Sequence, residues 1–516
     1  MNRGCASARA NRPFRVSHRQ KRVVGLTDAP GYRLTGEAVT QHPFSYMTRR
    51  IRTSATMVLV LVALGLAGAQ SPAPLPTGTL VERVVCQGDS SQSYALYLPS
   101  GYASAKRWPI IYAFDPFARG KVPVQLYQEA AEKYGYIVVG SNNSRNFSLE
   151  AASKSANAIW LDTHNRLSLD DRQVYTTGLS GGARVAGLVA LRCTPCKIAG
   201  VIAQAAGYPA SDAPVKRDNL NYFLSVGDED FNWPEIIEIR RQREELGSPY
   251  RVQVFPGPHG WAPKKVVDEA VAWIHLRAQQ AGIQPKDSNF VDGFFLTIKA
   301  EAVAAEKRSD PIAELSAYRT LVSDFVGLEN VGEFEKKLTA LKQSSDLQKA
   351  LKQEQREIAD QALLTADLSS KLTAFNESTA DQRLSTRTDL VDGVRALKSQ
   401  AAHSEPARRL VLLRAFNDLW VQGIEAGQAQ LEGKRFDRAL SYFQLMSEIT
   451  PDEPWPALLL ADTHTLMGNK KQAIKDLHEA VRRGLKNADF LEHDSNLENL
   501  RADPEFLNIV AGLRAR

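Results

Sequence analysis

Gln173-Val174-Tyr175-Thr176-Thr177-Gly178-Leu179-Ser180-Gly181-Gly182-Ala183 is the stretch on which the reading of this chain turns. Residues 173–177 are rich in valine, tyrosine and threonine, which predicts a strand. Residues 183–192 are mostly helix formers. Between them lies Gly178-x-Ser180-x-Gly182, and strand, G-x-S-x-G, helix is the setting of a nucleophile elbow. Such a turn holds the serine hydroxyl clear of the sheet edge. The two flanking glycines are expected because a Cβ at either would strike neighbouring backbone. The helix start adds free N–H groups and a positive dipole end for a developing anion. In an ordinary strand-to-helix turn the serine would only cap the helix. G-x-S-x-G alone occurs by chance in long chains, and the flanking elements are what give it weight.

Outward from this stretch, short apolar runs alternate with helical ones. Residues 80–86 and 94–98 alternate like two antiparallel strands. Residues 109–114, 136–140, 198–203, 222–226 and 251–255 read as further strands. Helices are expected at 124–134 and 150–167, with a polar loop at 142–148 between the second and third of those strands. This alternation predicts an α/β fold, a mainly parallel sheet covered by helices on both faces. Ligands of such sheets bind at the carboxyl ends of the strands, where Ser180 falls.

A nucleophilic serine needs a base and an acid that orients the base. Residues 70–284 contain three histidines, His164, His259 and His275. His164 lies inside a predicted helix and His275 in an amphipathic one, so both read as structural. His259 follows the last strand in Gly257-Pro258-His259-Gly260, a tight loop at a carboxyl end, and is the candidate base. For the acid, Gly227-Asp228-Glu229-Asp230 follows the strand ending at Val226 and offers three carboxylates. The order serine, acid, histidine is the one expected for this sheet type.

Four pieces carry a resemblance: Tyr94-Ala-Leu-Tyr-Leu-Pro-Ser-Gly-Tyr102, the elbow, Gly227-x-x-Asp230 and Pro258-His259-Gly260. Through them residues 80–282 resemble an α/β-hydrolase, nearest in pattern to secreted esterases of the polyhydroxyalkanoate-depolymerase and feruloyl-esterase kind. The resemblance implies a Ser180–Asp230–His259 triad, since the family places its acid three residues after such a glycine. It implies an oxyanion hole from the Gly181 N–H and a second N–H after the third strand. Many members have His-Gly there, whereas this chain has Asp115-Pro116-Phe117. Proline has no N–H, so Phe117 or Ala118 becomes the expected second donor. The implied activity is hydrolysis of carboxylic esters, small or polymeric, through an acyl-enzyme. A peptidase of prolyl-oligopeptidase type shares the order of the triad, but its N-terminal propeller is missing. A third reading is a non-catalytic binding protein, a degenerate hydrolase domain carrying helical repeats. No metal or organic cofactor is implied.

The chain has 516 residues, 43% of them hydrophobic, enough for two or three soluble domains. Its formal charge of +6 is uneven: residues 1–69 carry +9, so the remainder carries −3. That remainder gives no electrostatic reason to expect nucleic acid. Residues 1–69 read as a leader whose translation starts at Met1 or at Met47. Met47–Arg52 is a basic region, 57–66 a short apolar run, and Ala67-Gly68-Ala69 a small-x-small site with cleavage after Ala69. The expectation is a secreted or periplasmic protein with no stable membrane span once the signal is removed, the alternative being a leader retained as an anchor. In such a compartment Cys193-Thr-Pro-Cys196 would close a short disulfide. A thioredoxin-like motif needs its first cysteine at a helix N-terminus. Here the pair follows a helix instead.

Beyond the expected catalytic domain at 70–284, composition shifts to Ala, Leu, Lys, Glu and Gln. Residues 285–404 read as a helical connecting region, with one or two long helices over 333–363. Residues 405–516 resemble tetratricopeptide repeats: Ala439 and Ala473 stand 34 residues apart in similar helices, and 494–506 resemble a terminal cap. Such repeats leave a concave face for a protein partner or for self-association. The region after about 287 is therefore expected to place the enzyme without joining the chemistry. The competing expectation is a lid packed over the strand ends.

Overall fold

In a computed structural model that describes residues 75–515 apart from 147, 194, 195 and 380, the apolar runs become eight strands of one sheet. They are β1 (Leu80–Val85), β2 (Ser93–Tyr97), β3 (Trp108–Phe114), β4 (Ile137–Ser141), β5 (Leu169–Leu179), β6 (Gly200–Gln204), β7 (Asn221–Gly227) and β8 (Tyr250–Phe255). The order across the sheet is β1-β2-β4-β3-β5-β6-β7-β8. β2 runs antiparallel to β1 and β4, and every pairing from β4 to β8 is parallel. The expected leader, with Met47 and the expected cleavage site after Ala69, lies outside the described residues.

Two-residue alternation sends side chains to two cores. From β3 and β7, Ile110, Tyr112, Phe114, Tyr222, Leu224 and Val226 face one side. They meet α2 (Leu149–Arg166), α3 (Gly181–Arg192) and α4 (Trp233–Leu246). Ile111 and Phe223 face the other side and meet α1 (Lys121–Tyr134) and α5 (Lys264–Gln280). Fully burying each such side chain contributes about 1.5–3 kcal/mol. This is the expected α/β-hydrolase architecture, and it brings the ends of β3, β5, β6, β7 and β8 to one edge.

An all-α region follows. α6 (Ser288–Arg308), α7 (Pro311–Phe325) and α8 (Gly332–Gln343) share a core with Leu276 of α5. Trp273 of α5 donates to Asp324 Oδ2 at 2.7 Å. Arg319 of α7 stacks 3.5 Å from the centre of the Tyr250 ring and donates to the Tyr250 carbonyl at 2.9 Å. Edge strand β8 is thus covered rather than left open to pairing. Of the one or two helices expected over 333–363, two form: Ser344, whose hydroxyl accepts from Leu347 N–H, separates α8 from α9 (Ser345–Glu377). α10 (Arg383–Ala402), α11 (Pro406–Glu432) and α12 (Phe436–Ile449) bury one core with α9. α13 (Pro454–Leu466), α14 (Lys470–Arg482), α15 (Ala488–His493) and α16 (Pro504–Arg514) share another. Ala439 and Ala473, the pair that marks the 34-residue period, are both fully buried.

Candidate active site

Ser180 occupies a backbone conformation that side chains avoid, φ 54° and ψ −122°, between β5 and α3. The strain is local and is held by its surroundings. Ser180 N–H donates to the Gln204 carbonyl at 2.8 Å, and its own carbonyl accepts from Ala183 and Arg184. A Cβ at Gly178 would lie 2.2 Å from the Gly182 carbonyl oxygen, and one at Gly182 would lie 2.1 Å from that of Phe114. Both positions therefore require glycine, as the motif implies. Gly181 opens α3, so its N–H is one of the first four that have no intrahelical acceptor.

Past the ends of β7 and β8 the chain makes two interlocked loops. Asp228 Oδ1 accepts from Gly257 N–H at 2.9 Å, and Glu229 N–H donates to the Gly257 carbonyl at 3.0 Å. Between these anchors the Asp230 carboxylate turns inward and is wholly buried. His259 Nδ1 lies 2.9 Å from each of its oxygens, and Oδ1 also accepts from Asn232 N–H at 2.8 Å. Of the three carboxylates after Gly227, Asp230 meets the histidine, while Asp228 ties one loop to the other. Phe231 packs its ring 4.4 Å from the imidazole. Gln204 then joins this corner to the elbow: its backbone holds Ser180 N–H, and its Oε1 accepts from Ala262 N–H at 2.8 Å. The other two histidines sit elsewhere. His164 stacks on Trp160 and lies 3.5 Å from Asp171, near the start of β5. His275 lies among Tyr134, Tyr136 and Phe290.

The loop after β3 carries the two N–H groups expected as second oxyanion donor. Asp115 is fully buried, and its Oδ1 accepts from Phe117 N–H and Arg119 Nε, both at 2.9 Å. Its Oδ2 accepts from Arg119 and from Trp261 Nε1 at 3.0 Å. The Asp-Pro pair is thereby a hub joining this loop to the one that carries His259. The same arrangement engages both expected donors, since Phe117 N–H bonds Asp115 Oδ1 and Ala118 N–H bonds the Asp115 carbonyl at 3.2 Å. Asn146, in the loop before α2, was not singled out by the sequence. Its N–H donates to the Pro116 carbonyl at 2.9 Å. A Cβ at Gly181 would fall 1.9 Å from its Oδ1, so the carboxamide rests directly on the residue after the serine. An asparagine in a polar loop carries no mark of that placement.

The region after 287 packs against the sheet domain, as the competing expectation of a lid would require. α9 and α11 reach the loop that bears Asp230. Arg414 Nε donates to the Asp228 carbonyl at 2.6 Å, Asn417 Nδ2 to the Glu229 carbonyl at 2.8 Å, and Gln361 Nε2 to the Phe231 carbonyl at 2.8 Å. Helical spacing carries the Arg414–Asn417 face on to Glu425. Burial raises the carboxyl of Glu425 above its ordinary range, opposed by the nearby His259 and Arg184 side chains. Cys193 and Cys196, with Cα atoms 5.4 Å apart, form a disulfide after α3, and Cys86 is free and buried.

No family model matches the sequence, and no curated protein matches it. Among solved structures, the chain is similar over 39% of its length to the substrate-bound fluorophosphonate-binding serine hydrolase FphF of Staphylococcus aureus (12% identity, 99% of that chain, TM-score 0.31). It is similar over 38% to a ferulic acid esterase (16% identity, 97% of that chain, TM-score 0.32). Over 41% it is similar to EstE1, a carboxylesterase cloned from a metagenomic library (13% identity, 91% of that chain, TM-score 0.33). A likeness at these identities and TM-scores assigns neither a family nor an activity.

Proposed function

We propose that this chain is an exported serine hydrolase that cleaves carboxylic esters. The observation that carries the reading is the buried Asp230 carboxylate 2.9 Å from His259 Nδ1, on the sheet edge that holds Ser180 in a strained elbow. In this reading Nδ1–H stays on Asp230, which leaves Nε2 as the base. Nε2 takes the Ser180 proton while Oγ bonds to the ester carbonyl carbon, giving a tetrahedral oxyanion and an imidazolium beside Asp230. Collapse breaks the ester C–O bond, and the imidazolium proton leaves with the alcohol. Water, deprotonated by the same Nε2, then releases the acid and restores Ser180.

Gly181 N–H is the first oxyanion donor. The second comes from the loop after β3, where Phe117 or Ala118 would have to release Asp115, or from the Asn146 carboxamide beside Gly181. Export follows from the basic and apolar leader, with cleavage after Ala69 giving a secreted or periplasmic protein. The 34-residue period supports tetratricopeptide-like repeats, with a protein partner or a second copy on their concave face. A fluorophosphonate probe tests the core of the reading: it should label Ser180, and Ser180→Ala should abolish both labelling and turnover of p-nitrophenyl esters. Labelling that survives the substitution overturns the assignment. A series of p-nitrophenyl esters of increasing chain length, run beside peptide amides, then separates esterase from peptidase.

A further inference from the structure

A loop that projects from the end of a strand exposes carbonyls, and each needs a donor from water or from protein. In the loop after β7 the carbonyls of Asp228, Glu229 and Phe231 surround the residue that bears the buried carboxylate. All three accept from side chains of α9 and α11, at 2.6, 2.8 and 2.8 Å. The donors are themselves fixed. Arg414 is 3% exposed in its side chain, and its guanidinium lies 3.8 Å from the centre of the Trp233 ring, at the first residue of α4. Burial pushes its pKa down to about 10, with Glu357 opposing, so it remains a cation at neutral pH. A charged donor gives a stronger bond than a neutral one. Gln361 is likewise almost fully buried. From the sheet side, Gly257 and Asn232 hold the same few residues. The Asp230 loop is thus held from two regions far apart in sequence.

We propose that Arg414, Asn417 and Gln361 are positioning residues, which hold the Asp230 loop so that its carboxylate meets His259 and so make the helical region part of the catalytic apparatus. This rests on the hydrolase reading. The three side chains touch main-chain carbonyls only around the acid and act through it, so their loss should lower kcat and leave KM nearly unchanged. A displacement of order 1 Å at a catalytic group costs up to about 100-fold.

The test uses the full chain and p-nitrophenyl butyrate. Arg414→Met should lower kcat about 10- to 100-fold, with KM within about threefold. Asn417→Ala and Gln361→Ala, which keep the buried cation in place, should each give a smaller loss in the same direction. Arg240→Ala, which removes an ion pair to Glu354 at the same junction without touching the loop, should leave kcat unchanged. In an Asp230→Asn background the Asn417 and Gln361 substitutions should cost almost nothing more, because the group they position no longer functions. Losses that persist undiminished in that background, or single variants with wild-type kcat, overturn the inference while leaving the hydrolase reading intact. A wild-type chain that neither turns over esters nor takes a fluorophosphonate overturns the hydrolase reading and this inference with it.

Discussion

Replacing Asp230 and Asp228 in turn by asparagine separates two carboxylates that stand two residues apart. Asp230 presents both oxygens to His259 Nδ1 at 2.9 Å, and its Oδ1 also takes Asn232 N–H. An asparagine has one acceptor oxygen. If that oxygen stays with Asn232, the NH2 group faces Nδ1 and favours the tautomer with its proton on Nε2, which cannot accept from Ser180. No negative charge remains to stabilise an imidazolium. The serine-protease precedent for this substitution is about 10⁴-fold, equivalent to about 5.5 kcal/mol of barrier. Asp228 differs, because its Oδ1 accepts one backbone N–H, that of Gly257. The amide introduced by Asp228→Asn would keep an oxygen there and lose only the charge assistance, about 1 kcal/mol. Asp230→Asn should therefore lower kcat/KM about 10⁴-fold with little change in Tm. Asp228→Asn should stay within about tenfold. Steady-state hydrolysis of p-nitrophenyl acetate with parallel thermal melts measures both. Equal losses, or a larger one at Asp228, would refute the assignment of roles.

Gly182→Ala places a methyl group 2.1 Å from the Phe114 carbonyl oxygen, so either α3 or β3 must move. The variant should lose about 2 kcal/mol or more of stability together with Ser180 labelling, and an unchanged Tm would contradict the packing argument. His275 is held at a pKa of about 4 by burial, with Asp287 opposing, against about 6.5 in an unfolded chain. Between those values the unfolded state binds the extra proton, so stability is lost as pH falls from about 6.5 towards about 4, by up to about 3 kcal/mol. His275→Gln should flatten that part of the curve of urea midpoint against pH, and parallel curves for the two proteins would count against it. Burial, reinforced by Asp162 and Asp89, pushes the Cys86 thiol up to about 11. Cys86 should resist iodoacetamide at about pH 8 in the native protein and react in urea. Rapid native alkylation, seen by mass spectrometry, would show that the site opens.

The sheet was legible because its strands announce themselves. Runs such as 109–114 and 222–226 are continuously apolar, as strands buried on both faces must be, and all eight expected strands appear with ends shifted by a few residues. The elbow was legible for a different reason: its two glycines are demanded by backbone contacts of 2.1 and 2.2 Å, and no other residue could stand there. His259 was singled out by elimination, because His164 and His275 fall in predicted helices, and the structure sets it beside Asp230. The choice among Asp228, Glu229 and Asp230 could not be made from residue types, because all three are carboxylates on one loop. Hydrogen bonds to Gly257 and His259 separate them. Asp115 is the converse case. The sequence shows only that it stands where His-Gly is common, and its part as a hub depends on Arg119 and Trp261 arriving at the same point.

The coupling of the helical region to the acid loop was illegible for a physical reason. Arg414, Asn417 and Gln361 donate to peptide carbonyls, and every residue has one, so the acceptor leaves no mark in the sequence. On a helix rich in polar residues, the donors look like members of a solvated face. An ion pair such as Arg240 with Glu354 at least requires complementary charges at two places. A donor to main chain requires nothing of its partner except position. Contacts of this kind can therefore link distant segments without any shared pattern between them. They can also contribute more than a surface ion pair, which is worth about 0–1 kcal/mol in water, since a hydrogen bond from a charged donor such as Arg414 contributes about 1.5–3 kcal/mol. Three such bonds fasten α9 and α11 to the loop whose Asp230 meets His259. The donors of the helical region fall on the loop that bears Asp230, and the kcat values of the Asn417→Ala and Gln361→Ala variants decide between a positioning role and an independent arm.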